Sequence, residues 1–186
     1  MTAQLPDTIL LRGREFALVA WDGKGLFSPH EHGLRPDWGS TACYRGYVCT
    51  YGIGHGRLSL RNILFHNLGI SGPEQVPELF GKAGSWSNGY VSYSFPDLDA
   101  PIPFSGALLA GDRWARDEWG CLHPAEGYKT VFELTFEGGR LCGIFDRGEA
   151  AEELRALPRS WMREGYELLY AWAKERFRGT YIAPPH

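Results

Sequence analysis

Apolar and polar positions alternate with a two-residue period along most of this chain, the pattern of strands with one buried face. Residues 8–11 and 15–21 are short, β-capable runs on either side of Arg12-Gly13-Arg14, and they predict an opening hairpin. Asp22-Gly23-Lys24-Gly25 should break the second strand, because glycine accepts backbone conformations that turns require. Residues 26–38, with Pro29 and Pro36, read as an irregular connection. Between 42 and 65 the pattern returns: Tyr47, Cys49 and Tyr51 share one strand face while Val48 and Thr50 take the other. Ser71-Gly72-Pro73 predicts the start of a short helix with Val76, Leu79 and Phe80 as its apolar stripe and Gly81 as its stop. Residues 89–95 alternate again through Val91, Tyr93 and Phe95, and 104–110 form a further strand candidate. A second hairpin spans about 128–145, turning at Glu137-Gly138-Gly139.

The period changes near the end of the chain. Residues 149–157 are helix-like, Pro158 interrupts, and Ser160 can cap a second helix reaching Phe177. Met162, Tyr166, Leu169 and Phe177 recur at helical spacing, so this segment is expected to pack on a sheet.

Two stretches echo one another. Tyr47-Val-Cys-Thr-Tyr51 leads through glycines to Arg57-Leu58, and Phe132-Glu-Leu-Thr-Phe136 leads through glycines to Arg140-Leu141. The echo predicts two related hairpin modules, at about 33–65 and 120–147, with the extra residues of the first copy confined to its turn. The expected architecture is one α+β domain over residues 1–186, mainly β. Its antiparallel strands would form a sandwich or open barrel closed by a C-terminal helical segment at 149–178.

Composition narrows the class of function. A net charge of −3 supplies no basic patch for a phosphate backbone, so nucleic acid is not an expected partner. No run is long and apolar enough to span a bilayer, and the N-terminus lacks the pattern of a signal peptide. Cys43, Cys49, Cys121 and Cys142 form no CxxC pair and read as reduced thiols of a soluble, cytoplasmic protein. No serine sits in a GxSxG elbow, and no sequence motif calls for a cofactor.

Three sets of residues carry candidate chemistry. His30-Glu31-His32 places two imidazoles two residues apart, which in an extended segment point the same way and can share a metal. His55, His66, His123 and Asp37 are possible third ligands. The glutamate expected soon after the second histidine in cupin-type sites is missing, and Gly33-Leu34-Arg35-Pro36 stands there instead. Arg12-Gly13 with Ser40-Thr41 faintly resembles the arginine–serine–glutamate pattern of ADP-ribosyltransferases. That resemblance implies that arginine and the Ser-Thr strand clamp NAD while Glu133 acts on the ribose, although Ala42 stands where a second serine is expected. Asp97, Asp99, Asp112, Asp117 and Glu118 gather acids around the 104–110 strand and can supply a general acid and base.

The chain also holds seven Trp, nine Tyr and ten Phe, large rings that can hold together a loop-rich core or, where several are exposed, form a recognition surface. Trp86 and Tyr90 lie in one turn-like stretch, and Trp114 and Trp119 in another, beside Arg113 and Arg116. Tryptophan, tyrosine and arginine dominate interface hot spots. These six residues are therefore the expected binding surface of a small protein-binding module, of the inhibitor, immunity or adaptor type, whose partner is another protein. The alternatives are an enzyme, metal-dependent or ADP-ribosyl-transferring, and a β-barrel holding a small ligand.

Overall fold

The computed structural model describes residues 5–37, 39–66, 76–86, 93–115 and 125–156, the side chain of residue 154 apart. The opening hairpin joins β1 (Asp7–Leu11) to β2 (Arg14–Lys24). A 3-10 helix at Pro29–His32 follows, then β3 (Tyr47–Gly54) and β4 (Arg57–Phe65). Short strands come next: β5 (Glu78–Leu79), β6 (Lys82–Ala83), β7 (Ser85–Trp86), β8 (Tyr93–Phe95) and β9 (Ala100–Pro101). The chain continues as β10 (Ser105–Trp114), a 3-10 turn at Ala125–Gly127, β11 (Tyr128–Glu137), β12 (Arg140–Asp146) and α1 (Gly148–Ala156).

The protein is mainly β. Among the described residues ten strands form one sheet in the order β12-β11-β10-β2-β1-β3-β4-β8-β7, with β9 also on β4. Every pairing is antiparallel except β1 with β3. The sheet curls until its β12 end meets β4, where Arg140 stands opposite Arg57. Two backbone bonds of 2.8 Å make that seam, from Leu58 N–H to the Gly139 carbonyl and from Leu141 N–H to the Gly56 carbonyl.

Four turns share one chemistry. Arg12-Gly13, His55-Gly56, Phe80-Gly81 and Gly138-Gly139 have positive φ at both central residues, the pattern of the two-residue turn whose twist suits a hairpin. Glycine is also demanded at one close crossing. Gly23 and Gly106 face each other with φ of 146° and 144°, and a Cβ on either would lie within 2.2 Å of a backbone oxygen of the other strand. β2 therefore continues through Asp22 and Gly23 to Lys24, where the sequence had suggested a break.

Side chains fill the curled sheet. Tyr51, Leu58, Leu60, Ile63, Phe65, Tyr93, Phe95, Phe104, Leu108 and Leu134 are all fully buried in this inner core. The alternation of β2 slips once, at Val19, which lies between the residues paired to Leu109 and Ala110. The slip explains why Phe16, Leu18 and Trp21 all address the same core. A smaller outer cluster occupies the other face: Ala20, Leu109, Tyr128 and Val131, covered by Ala125 of the 3-10 turn and Ala151 of α1.

Two expectations need correcting. Residues 76–81, read as the end of a helix, instead lead into the β5–β6 hairpin, with Phe80-Gly81 as its turn. Two-residue strands show too little alternation to compete with an apolar triple at helical spacing. The extra length of β3–β4 over β11–β12 lies in the strands rather than the turn. Between the register shift that follows the threonine and the turn there are four pairs in the first hairpin and two in the second. The expected helix over 160–177 lies outside the described residues, and among those described α1 is short. No helix there is long and apolar enough to cross a membrane.

Candidate functional site

Among the described residues an aromatic knob on the surface is built by two separate segments. Pro29 opens the 3-10 helix at the position where its missing N–H costs nothing, and Gly33 closes it in the left-handed region. This places His32 over Phe27, which belongs to the inner core, with ring centroids 5.1 Å apart and nearly parallel. Phe80, at the tip of the β5–β6 hairpin, meets His32 edge-on at 4.8 Å and Phe27 at 6.1 Å. Phe80 is 43% exposed and has a φ of 52°. A bulky non-glycine residue in that region is held against its intrinsic preference. Arg35 steadies the base of the knob by donating to the Leu34 and His30 carbonyls at 3.1 Å, with the His30 ring nitrogen 3.3 Å away.

His30 and His32 therefore do not form the metal-binding pair anticipated for an extended segment. On a 3-10 helix, with three residues per turn, positions two apart diverge. No group of three potential metal ligands converges among the described residues. His55 is exposed at a hairpin tip, His66 is buried, Asp37 is exposed, and His123 lies outside the described residues.

Of the aromatic residues singled out from the sequence, the two that are described, Trp86 and Trp114, pack against different clusters. Trp86 is half-buried in β7 and leans on the inner core. Trp114 ends β10 in the outer cluster, where its ring meets Tyr128 edge-on at 4.9 Å and lies over Gly127. Arg113 is exposed and donates to the Thr130 hydroxyl at 2.7 Å. Tyr90, Arg116 and Trp119 lie outside the described residues. Arg12 and Ser40 are not brought together: Arg12 follows the end of β1, whereas the loop holding Ser40 is tied at Ala42 to Leu5, before its start. Seven residues of extended chain separate those points by roughly 23 Å. Of the gathered acids, Asp99 pairs with Arg61 and Asp112 with Arg14, Asp97 is exposed in a turn, and Asp117 and Glu118 lie outside the described residues.

The buried acids are different ones. Asp7 lies on the same face of β1 as Ile9 and Leu11 and is 5% exposed. It accepts two bonds from Arg45 and one, at 2.6 Å, from the Cys49 N–H. Arg45 also donates to the Tyr47 carbonyl at 2.9 Å and lies 4.7 Å over that ring. Burial alone would lower the Arg45 pKa, but the Asp7 carboxylate raises it above the ordinary value, so the guanidinium stays charged. Burial pushes the Tyr47 hydroxyl up to about 12 and drives the thiols of Cys43 and Cys49 upward. Both cysteines are thus protonated and poor nucleophiles at neutral pH.

Glu133 and Glu126 sit on the outer side. Glu133, 1% exposed, receives Arg147 on one carboxylate oxygen at 2.8 Å, and its other oxygen is unpartnered. Glu126, 4% exposed, also keeps one carboxylate oxygen without a partner. Burial raises its pKa, opposed by its own backbone N–H and by Arg155. Comparison with protein-family models, curated proteins and solved structures finds no match to this chain.

Sequence reasoning passed over Phe80, Asp7 and Glu126. A signal existed for two of them. Phe80-Gly81 is an X-Gly turn like the other three, and Asp7 occupies a core position in the alternation Asp7, Ile9, Leu11. Nothing local marks Glu126, whose burial depends on the packing of α1.

Proposed function

We propose that this chain is a small protein-binding module, of the inhibitor, immunity or adaptor type, which presents an aromatic surface to another protein. The observation that carries the reading is Phe80: an exposed ring at a strained turn position, backed by His32 and by a core phenylalanine. The turn sets that φ, as it does at Arg12 and His55, and an exposed ring kept there in place of the glycine or asparagine the turn favours fits a use outside the fold. The filled interior supports this reading over a ligand-holding barrel, since Phe65 and Phe95 pack edge-on at 6.1 Å, as do Phe104 and Phe136 at 6.0 Å. Trp86 and Trp114, each half-buried, are rim candidates on their own faces of the sheet.

In the same proposal, β3–β4 and β11–β12 are related modules of one barrel-like sheet. They share the sequence echo, a turn of the same φ pattern, and a register shift immediately after Thr50 and Thr135.

The test uses Phe80→Asn, because asparagine tolerates positive φ. The wild-type chain and the variant are immobilised side by side and exposed to native lysate, with melting curves recorded for both. A partner held by the wild type and lost from an equally stable variant supports the proposal. His32→Ala, which removes the stacked ring and leaves the turn intact, serves if the first variant does not fold. Equal retention of every bound protein by folded variants refutes it.

A further inference from the structure

The seam that closes the sheet puts two positive charges face to face. Arg57 and Arg140 are directly opposite. The flanking bonds, from Leu58 to Gly139 and from Leu141 to Gly56, make theirs the non-hydrogen-bonded kind of pair, in which side chains come closest. Leu58 points into the core, so Arg57 points away from it, and both arginines are exposed. Like charges at such a position destabilise a sheet.

Among the described residues most other arginines have a fixed partner, exposed Arg12 being the exception. Arg14, Arg45, Arg61 and Arg147 each hold a carboxylate, and Arg113 holds a hydroxyl. Among the described residues no carboxylate forms an ion pair with Arg57 or Arg140. The residue across the first hairpin from Arg57 is Gly54, which has no side chain. The residue across from Arg140 is Glu137, exposed and within its neighbourhood but not ion-paired to it. The same Gly-Arg-Leu sequence occurs at both places, so the juxtaposition is produced by the two echoed motifs meeting.

We infer that Arg57 and Arg140 together form a docking platform for a carboxylate-rich segment of a partner protein. Two adjacent guanidiniums offer planar forks that match carboxylates and gain their missing counter-charge on binding. The choice of a protein as the bearer rests on the binding-module reading above; the preference for anions does not. A nucleic acid fits less well, because its affinity comes from neutralising many phosphates and this chain is net acidic.

The experiment titrates the full chain with a fluorescent polyglutamate peptide at low and at physiological salt. Parallel titrations use inorganic phosphate and a single-stranded DNA oligonucleotide of equal charge. Wild type should bind polyglutamate saturably and with salt-dependent affinity. Arg57→Glu, which turns the opposed pair into an attractive one, should weaken that binding about tenfold or more. It should also raise the melting temperature by about 1–3 °C. Arg57→Gln and Arg140→Gln give the same readings if the charge reversal does not fold. Absence of saturable polyglutamate binding, equal binding by a folded variant, or a melting temperature that does not rise overturns the inference. So does tighter binding of the oligonucleotide or of phosphate. None of these readings involves Phe80, so polyglutamate binding can survive the failure of the aromatic-surface proposal, and the reverse.

Discussion

The two faces of this sheet solve burial differently. Inside, large rings and branched chains are packed together, and the buried acid Asp7 has three bonds from Arg45 and Cys49. Outside, under α1, the apolar residues are mostly small, and two buried glutamates each keep an oxygen without a partner. A satisfied buried ion pair is costly to break, whereas an unpaired buried polar atom is a standing penalty. The inner layer therefore holds the fold, and the outer layer, with α1, is where it should open first.

The largest expected effect is in the inner core. Phe104→Ala should cost about 3–5 kcal/mol in denaturant unfolding, while Val131→Ala in the outer cluster should cost about 1–2 kcal/mol. Comparable losses after allowing for the volume removed would erase the distinction between the layers. Next comes Asp7→Ala. It should cost about 2–3 kcal/mol, below the range for fully buried pairs because the Arg45 side chain keeps 24% exposure. A neutral result would mean that the pair is replaceable by packing alone.

Glu126→Gln should act with the opposite sign. Its carboxyl is raised above the ordinary value, so the folded state keeps a proton that the unfolded state has already released. Stability should therefore fall as pH rises from about 4.3, the unfolded value, through the raised folded value, and then level off. The glutamine variant should lose that decline and be more stable at neutral pH by about 1 kcal/mol. Matched melting curves from pH 4 to 8, a span covering roughly the usual carboxylate range and its upward tail, test this directly. A decline that persists unchanged in the variant assigns it to another group. Phe80→Asn should produce the smallest change, a gain of about 0.5 kcal/mol or less from relief at the turn. A clear loss would make Phe80 a packing residue rather than a surface one.

This contrast was half legible in the sequence. The opening hairpin, β10 and the two echoed hairpins follow from two-residue alternation and X-Gly turns, because both signals are local. The Phe80 knob was hidden by strands only two residues long, and the same apolar triple satisfied a helical spacing instead. The His30–His32 pair misled because its chemistry depends on whether the backbone is extended or coiled, which Pro29 and Gly33 decide. The opposed arginines were visible as an echo, yet their meeting is a property of how the sheet closes, and no local pattern encodes closure.

Among the described residues two strand pairings join the halves of this sheet. On one side of β1 lie β2, β10, β11 and β12; on the other lie β3, β4, β8 and β7, and beyond the β1–β3 pairing the halves meet again at Arg57 and Arg140. No short turn can make a parallel pair such as β1–β3, so each half can zip locally while their union waits on distant segments finding one another. Refolding should accordingly be limited by that search, and a substitution that weakens the seam, such as Thr8→Pro, should slow refolding far more than it speeds unfolding. Stopped-flow refolding and unfolding arms measured on this variant and on one placed inside the β11–β12 hairpin would separate the two rates. Equal slowing in both would assign the rate-limiting step to the hairpins themselves.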